Sequence, residues 1–299
     1  MEKALLIYNP VSGRRQLRYS LDKIINILSH KYEVVVRETH KAGDGTLIVK
    51  ENCKKQYAAI ICCGGDGTLN EVVNGVVSCI TNVSLGYIPC GSTNDFAQSL
   101  RIPTNFIAAA NNILHAETVP VDVGLFDNRR HFSYIASFGA FTAASYDTPQ
   151  NMKNSLGHLA YIIRGAKDFF ALKKSPVYDM EISFADGVAV RGEYFFGAVC
   201  NSTSVGGLIR LPENTVDFGD GLFECVFIKK PKKRKEWFAL LDDILHQRIE
   251  KNPLVCMRKT AGVTIKTKES IDWTLDGERV VAGEKITVKV QPRAIKLFV

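Results

Sequence analysis

The sequence predicts an α/β fold in which an N-terminal, doubly wound, mostly parallel sheet precedes a mostly antiparallel β-sandwich domain. Three observations support it. Apolar segments alternate with amphipathic helices over the first ~115 residues, glycine turns end several of these segments, and short strands dominate after about residue 118. We place the first domain at residues 1–118 and the second at residues 119–290. Whether the last strand, about residues 291–299, returns to the first domain is left open.

The elements of the first domain follow from apolar runs and helical spacing. Residues 4–8 form a short apolar strand, and five apolar residues between Leu17 and Leu28 lie on one helical face. Pro103 suits the first turn of the last helix. The predicted order is strand 4–8, helix 17–28, strand 33–39, helix 43–54, strand 57–63, helix 68–76, strand 85–89 and helix 103–114.

The first domain is organised around the segment from Gly64 to Thr68. Its glycines follow an apolar run without alternation, as in a strand buried on both faces, and they let another molecule approach the main chain. Thr68 is predicted to cap the next helix, whose N-terminal amides and dipole favour a polyphosphate. An ordinary tight turn is the alternative, and the spacing fits neither the Walker pattern nor the dinucleotide fingerprint.

Two further turns follow strands of the same predicted sheet, at Asn9 and at Gly91–Asp95. Because the carboxyl ends of parallel strands share one edge, we expect both turns to meet Gly64–Gly67 in one crevice. Asp66 is an unusual neighbour for phosphate unless it holds a ribose hydroxyl or a metal ion, or orients the loop.

The second half of the chain has the pattern of a β-rich domain. Asp186-Gly187 provides a hairpin turn, and helices are predicted at roughly residues 156–172 and 235–249. The second helix has Trp237 and Phe238 on one apolar face, for which core packing is the ordinary explanation and membrane contact the alternative. The predicted strands are 119–126, 178–184, 188–200, 222–227, 263–268, 273–275, 285–290 and 294–298.

Two acidic turns of this half are candidate chemical sites. Asp217 and Asp220 bracket a turn that is either an ordinary Asp-Gly turn or a site for a hard cation held by carboxylate and carbonyl oxygens. Asp276 and Glu278 follow a strand, and either is a candidate general base toward an alcohol if the fold brings it to the crevice.

The charge balance, Lys+Arg 38 against Asp+Glu 31, gives a formal net charge of +7 and favours anionic partners. Part of the excess lies in Lys229–Lys235, where every residue except Pro231 is basic. This run is either a solvated loop or a patch for acidic lipid headgroups or nucleic acid.

Cysteine usage and hydropathy indicate a cytosolic protein. The eight cysteines form no C-x-x-C pair and show no zinc-finger spacing, so we expect them to be reduced thiols. The apolar run at Ala4–Tyr8 is too short for a signal peptide, and no segment approaches the ~18 apolar residues of a membrane span.

Together, these motifs resemble those of the diacylglycerol kinase catalytic-domain family, in particular its bacterial soluble lipid kinases, with sphingosine kinases as more distant relatives. The matching segments follow the family's order along the whole chain. They are Asn9-Pro10 with Ser12-Gly13, Gly64–Thr68 with Asn70-Glu71, Gly91 with Thr93–Ala97, Asp122, Asp220–Leu222 and Asp276–Glu278. Ser92 stands where relatives often have glycine, which is a mild departure.

The resemblance implies an ATP-dependent lipid kinase that transfers the γ-phosphate to a diacylglycerol hydroxyl and gives phosphatidate. It makes Glu278 the proton acceptor, with Asp276 beside it and Asp95 as a third catalytic candidate. It also implies Mg²⁺, held by Asp220 and by main-chain oxygens of Asp217 and Leu222. The residues expected to contact ATP are Asn9, Thr39, Gly64, Gly65, Asp66, Gly67, Thr68, Leu69, Asn70, Glu71, Gly91, Thr93 and Asn94.

A membrane-borne substrate favours anionic lipid over nucleic acid as the partner of Lys229–Lys235. We therefore expect a cytoplasmic homodimer, attached peripherally to the inner face of the membrane, with no nucleic-acid partner. Three alternatives stay open. They are a kinase of another hydroxylated lipid (a monoacylglycerol, a sphingoid base or a polyprenol), an NAD kinase, which shares the Gly-Gly-Asp-Gly-Thr turn, and a non-catalytic nucleotide- or lipid-binding regulator.

Overall fold

The first domain is built on four parallel strands. The computed structural model describes residues 1–12, 16–79, 82–91, 94–140, 175–205, 209–211 and 216–299. The strands lie in the sheet order β2-β1-β3-β4 and all pair in parallel. They are β1 (Glu2–Tyr8), β2 (Tyr32–Glu38), β3 (Ala59–Gly64) and β4 (Ser84–Pro89).

Helices cover both faces of this sheet, which confirms the doubly wound arrangement. α2 and α3 pack together on one face, and α1 and α5 pack together on the other. Alternate residues of β1 serve the two faces, since Leu5 joins one apolar core and Leu6 the other. The helices are α1 (Gln16–Leu28), α2 (Asp44–Asn52), α3 (Asp66–Cys79), α4 (Asp95–Ser99) and α5 (Phe106–His115).

Two helices begin elsewhere than predicted. α3 starts at Asp66, so Thr68 lies inside its first turn and does not cap it. α5 starts at Phe106 rather than at Pro103, because Asn105 caps it: its Oδ1 accepts the N–H groups of Ile107 and Ala108 at 3.0 and 3.1 Å.

The second domain is a β-sandwich of mostly antiparallel strands. Its long strand β9 pairs with β8 through its first half and with β7 and β12 through its second half. The strands are β5 (Thr118–Phe126), β6 (Arg130–Phe132), β7 (Ile135–Gly139), β8 (Tyr178–Phe184), β9 (Ala189–Cys200), β10 (Ser204–Val205), β11 (Ile209–Arg210), β12 (Phe223–Lys229), β13 (Val255–Thr260), β14 (Gly262–Thr267), β15 (Ile271–Leu275), β16 (Glu278–Ala282) and β17 (Lys285–Phe298).

The two predicted C-terminal strands form one strand, β17, with a register shift between Gln291 and Ile295. β17 pairs antiparallel with β14 and β5, and near its end it pairs in parallel with β4, Lys296 opposite Ser84. It therefore joins the parallel sheet to the β-sandwich. Strands β6, β7, β10, β11, β13 and β16 were not predicted, because short strands owe their pairing to neighbours distant in sequence.

An aromatic core fills the sandwich. The ring of Trp273, which is fully buried, lies 5.2 Å from that of Phe126 and 4.9 Å from that of Phe138, measured between centroids. Helix α6 (Arg234–Leu245) packs through Trp237, whose ring lies 5.4 Å from that of Phe195, and a 3₁₀ turn (Ile249–Lys251) follows. The predicted helix at 156–172 lies outside the described residues.

Cys53, after α2, and Cys79, at the end of α3, form a disulfide with their Cα atoms 5.8 Å apart. The expectation of reduced thiols is therefore wrong for this pair, whose separation of 26 residues gives no sign of proximity in the sequence. Among the helices that the structure describes, none is both long and apolar enough to cross a membrane.

Candidate active site

The turns that follow β3 and β4 pack directly against each other. The N–H of Cys90 donates to the carbonyl of Gly64 at 2.7 Å. A Cβ added to Gly91 would lie only 2.9 Å from the Cα of Gly65, so a larger residue would push the turns apart. The Asn94 side chain closes the second turn, accepting from Gly91 N at 2.8 Å and donating to Gly91 O at 3.0 Å.

The ends of β1 and β2 join the same edge of the sheet. The N–H of Asn9 donates to Cys63 O at 3.0 Å, and its side-chain amide donates to the Thr68 hydroxyl at 3.1 Å. Thr39 is buried, and its N–H donates to Tyr8 O at 3.0 Å. The structure thus brings Asn9, Thr39 and the two glycine turns together at one edge of the sheet, beside the N-terminus of α3.

Asp66 joins two of the segments at this edge. One of its carboxylate oxygens accepts the N–H of Asp95 at 3.3 Å, and the other accepts the Tyr87 hydroxyl at 3.5 Å. The carboxylate thereby ties the start of α3 to the start of α4. Of the three roles considered for Asp66, these hydrogen bonds support the one in which it orients the loop.

Glu71 and Leu69 have contacts that the sequence pattern did not reveal. The carboxylate of Glu71 accepts the N–H groups of Gly43 and Gly45 at 2.7 and 2.9 Å, and so fixes the N-terminus of α2. Leu69 is buried in the core, and its N–H already donates to Gly65 O at 3.0 Å. Leu69 therefore packs beneath the turn in the apolar core, and its side chain is not exposed to a ligand.

Asp276 links the two domains from a buried position in the turn between β15 and β16. It accepts the side-chain amide of Asn70, on α3, at 2.7 Å. It also accepts three consecutive main-chain N–H groups, those of Ser133 and, at 3.0 Å each, Tyr134 and Ile135. Burial raises the pKa of the Asp276 carboxyl, although these donors act in the opposite direction. Asp276 holds the turn rather than facing the crevice.

Glu278, at the start of β16, reaches the other domain. Its Oε1 lies 3.9 Å from the place where a Cβ on Gly67 would stand, in the first turn of α3. Its other oxygen pairs with the guanidinium of Arg130, on β6. The side chain of Arg130 is 36% exposed and that of Glu278 is 40% exposed, so a ligand can reach the pair.

A cleft of about 470 Å³ lies between α2, α3 and β6, with Glu278 in its wall. Asn74 of α3 ties β6 to this cleft, because its Oδ1 accepts the main-chain N–H of His131 at 3.2 Å. Burial lowers the pKa of His131, which favours the neutral imidazole. The cleft is lined by Ala42, Gly43, Thr46, Lys50, Asn70, Glu71, Asn74, Ser78, Arg129, Arg130, His131 and Glu278.

The turn from Asp217 to Leu222 is held partly by its own aspartates and partly by residues distant in sequence, since the main-chain N–H of Asp122 and the side-chain amide of Asn201 both donate to Phe218 O, at 2.7 and 3.2 Å. Asp217 accepts the N–H of Gly219 at 3.0 Å, and Asp220 accepts that of Leu222 at 2.9 Å. The second oxygen of Asp220 pairs with the ammonium of Lys259 at 3.0 Å.

Two buried carboxylates stand beside this turn. Asp122 accepts the N–H groups of Gly221 and Arg293 at 2.6 Å each, and burial raises its pKa. Burial also raises the pKa of Glu224 to about 7, while the Lys259 ammonium, 3.3 Å away, lowers it. Lys259 pairs with Oε1 of Glu224, while the buried Oε2 has no hydrogen-bond partner among the described residues.

The donor set around Asp220 fits a hard cation in charge and atom type. Lys259 pairs with Asp220 and Glu224, Asp217 and Asp122 bond to main-chain N–H groups of the same turn, and carboxylate oxygens are ligands that Mg²⁺ accepts. Over the described ranges, however, no three acidic, histidine or cysteine side chains come together as a metal site. Ligation there would depend on Asp220 and main-chain oxygens.

Thr93 lies outside the described residues, so its predicted contact has no structural counterpart. Arg130, Asn74 and Lys259 were not singled out in the sequence. A basic or amide residue on a short strand or helix carries no motif, and what distinguishes these three is the partner that the fold places beside them.

Comparison with known proteins agrees with this architecture. The model of the diacylglycerol kinase catalytic domain matches residues 3–126, and that of the YegS C-terminal NAD kinase beta sandwich-like domain matches residues 136–299. A diacylglycerol kinase of Bacillus subtilis (strain 168) is 34% identical over 281 residues, covering 93% of this chain and 90% of the relative. The chain belongs to the diacylglycerol kinase family.

Further relatives agree. A diacylglycerol kinase of Staphylococcus aureus (strain bovine RF122 / ET3-1) is 33% identical over 93% of this chain and 86% of its own length. The crystal structure of a putative diacylglycerol kinase from Bacillus anthracis str. Sterne superposes with a TM-score of 0.81 at 26% identity, covering 99% of this chain and 95% of that chain. The chain is a lipid kinase, and ATP is its co-substrate.

Proposed function

We propose that the enzyme transfers the γ-phosphate of ATP to the hydroxyl of diacylglycerol and gives phosphatidate. The observation that carries this proposal is the position of Glu278. A carboxylate from the second domain stands beside the first turn of α3, where helix amides and a glycine turn favour a polyphosphate. Phosphoryl transfer needs these two elements close together: a site for the phosphates and a base for the acceptor hydroxyl.

In this proposal the polyphosphate lies against Gly64–Gly67 and Gly91, with Asn9 and Thr68 at its side. The close contact between the two turns supports this, because only glycine leaves room for main-chain amides to face a ligand. The rest of the nucleotide extends along α3, where Asn70 and Glu71 line the cleft. The roles of Thr39, Thr93 and Asn94 remain those that the family resemblance implies.

Glu278 is the proposed general base toward the acceptor hydroxyl. It is half-exposed and faces the phosphate site, whereas Asp276 is enclosed by four donors. We therefore propose that Asp276 positions Glu278 and does not exchange a proton with substrate. Asp95, whose N–H is held by Asp66, keeps its proposed place beside the phosphates.

Mg²⁺ is the proposed metal in two places. Bound with ATP, it neutralises charge on the transferring phosphoryl group. A second ion would be held by Asp220 with main-chain oxygens of Asp217 and Leu222, and would balance the acidic excess around that turn.

We also propose that the enzyme rests on anionic membrane lipid through Lys229–Lys235. The run precedes α6 and continues into its first turn, where positive charge is unfavourable, and the carboxylate of Glu236 offsets only part of it by accepting the N–H groups of Lys232 and Lys233. An anionic surface would offset the rest. If vesicle binding survives replacement of all six basic residues by serine, the run is only a solvated loop.

We further propose that the enzyme is cytoplasmic and forms a homodimer, and that its two domains divide near residue 118. The pairing of β17 with β4 supports assigning residues 291–299 to the first sheet.

The direct test is transfer of label from γ-labelled ATP to a panel of detergent-dispersed lipids, with NAD as a parallel acceptor. We expect label on diacylglycerol. Label on a sphingoid base, a monoacylglycerol or a polyprenol would keep the mechanism and change the substrate. Label on NAD, or ATP binding without transfer to any acceptor, would overturn the proposal.

A further inference from the structure

Arg130 forms the one ion pair, among the described residues, that joins β6 to the proposed base. Its guanidinium pairs with an oxygen of Glu278. The strand that carries it is held firmly, since Arg130 pairs with Phe126 of β5 and the next residue, His131, is bonded to Asn74 of α3. The main chain at Arg130 is therefore held against α3, and the pair with Glu278 orients its guanidinium.

The same place presents an electrostatic conflict. Glu278 stands beside Gly67, at the helix N-terminus where the proposed polyphosphate binds. Two anions at this separation repel each other, and the repulsion weakens nucleotide binding unless a cation lies between them. Among the residues that the structure describes, Arg130 is the cation that contacts Glu278 directly.

We propose that Arg130 is a catalytic residue whose guanidinium bridges the Glu278 carboxylate and the terminal phosphate of ATP. This inference rests on the proposed function and adds to it a residue that no motif includes. Arg130 would neutralise the carboxylate, bind the phosphate that is transferred, and hold Glu278 toward the acceptor hydroxyl.

The chemistry of the side chain suits both partners. A guanidinium offers five N–H donors in a rigid plane, of which the carboxylate uses only part. The remaining donors match the oxygens of a phosphate group. A lysine in the same place would keep the charge and lose the planar fork, so Arg130→Lys separates charge from geometry.

The first experiment measures equilibrium binding of a non-hydrolysable ATP analogue with Mg²⁺. We expect Arg130→Met to weaken binding about tenfold to a hundredfold, the range for a charge-assisted contact. Arg130→Lys should fall between Met and wild type. The matched control is Arg279→Met, which removes an exposed ion pair with Asp272 one residue beyond Glu278.

The second experiment is a double-mutant cycle with Glu278→Gln. If Arg130 bridges the two groups, the loss caused by Arg130→Met becomes smaller in the Glu278→Gln background but does not vanish. If Arg130→Met weakens analogue binding equally in both backgrounds, Arg130 and Glu278 are not coupled, and the bridge is overturned. A loss that vanishes would overturn the phosphate contact and leave Arg130 as a counter-ion only.

Steady-state kinetics with diacylglycerol add a readout that simple structural damage would not produce. Arg130→Met should raise KM for ATP and lower kcat, and Arg130→Lys should restore part of both. If KM for ATP and kcat of the Arg130 variants lie within about twofold of the Arg279→Met values, the inference is overturned. If wild type binds the analogue but labels no lipid, the proposed function fails while the binding cycle still decides the role of Arg130.

Discussion

Two regions of the molecule combine glycine with acidic residues, and they use those residues differently. Around the first turns of α3, three acids accept main-chain N–H groups from other segments of the chain; they are Asp66, Glu71 and, from the second domain, Asp276. In the Asp217–Leu222 turn, two aspartates accept N–H groups only two residues ahead. The acids of the first region join several segments into a site, whereas Asp217 and Asp220 bond to main-chain groups of their own loop, which Asp122 anchors from outside.

The largest expected effect comes from removing a long-range contact of the first region. Asp276→Ala leaves three buried main-chain N–H groups without an acceptor, and we expect unfolding to become easier by about 3 kcal/mol or more. Denaturant unfolding measures the change. Asp272→Ala removes an exposed ion pair on β15, the strand that leads into this turn, and should lower the free energy of unfolding by about 1 kcal/mol or less; equal effects of the two variants would contradict the comparison.

A covalent link at the opposite edge of the parallel sheet comes next, where α2 and α3 end. The Cys53–Cys79 disulfide closes a loop with a separation of 26 residues and fastens α2 to α3. Reduction should lower stability by about 3 kcal/mol, because it frees the unfolded chain. Thermal unfolding with and without reductant measures this. The double variant Cys53→Ser/Cys79→Ser should be insensitive to reductant, and wild type that is equally insensitive would contradict the prediction.

The close contact of the two glycine turns predicts a binding effect. The Cβ of Gly91→Ala would lie 2.8 Å from Asn94 Oδ1 and 2.9 Å from Gly65 Cα, so the turns must separate. We expect affinity for an ATP analogue to fall about tenfold or more. Gly283→Ala is the matched control, because nothing lies within 4 Å of its added Cβ. ATP affinity equal in the two variants would place the phosphates elsewhere.

The smallest effect is expected in the Asp217–Leu222 turn. In the absence of divalent cations, Asp220→Ala should lower the free energy of unfolding by about 1 kcal/mol or less, since the pair of Asp220 with Lys259 is partly exposed. Added Mg²⁺ should raise the thermal midpoint of wild type more than that of Asp220→Ala. Equal Mg²⁺ effects on both proteins would remove Asp220 from the metal site. Asp179→Ala, in an exposed pair with Arg191, is the control.

The comparison also explains what the sequence could predict. The strand-exit turns were predictable, because Gly64–Gly67 and Gly91–Asp95 are local patterns and parallel strands end at a common edge. The alternation of strands and helices gave the first sheet and its helices for the same reason.

Contacts between distant segments could not be predicted. The bond between Asn70 and Asp276 joins residues 206 positions apart, and the Arg130–Glu278 pair joins residues 148 apart. Neither leaves a periodic signal in the chain. Asp276 and Glu278 looked equivalent in one motif, and only the fold encloses one and leaves the other open.

The central claim is that an acid from the second domain serves a nucleotide bound by the first, and Glu278→Gln tests it most directly. Binding of the ATP analogue and transfer of label to diacylglycerol should be measured on the same preparation. We predict that binding stays equal to wild type or tighter, while transfer falls about a hundredfold to ten-thousandfold. Transfer at the wild-type rate would contradict the account, because the base would then lie elsewhere.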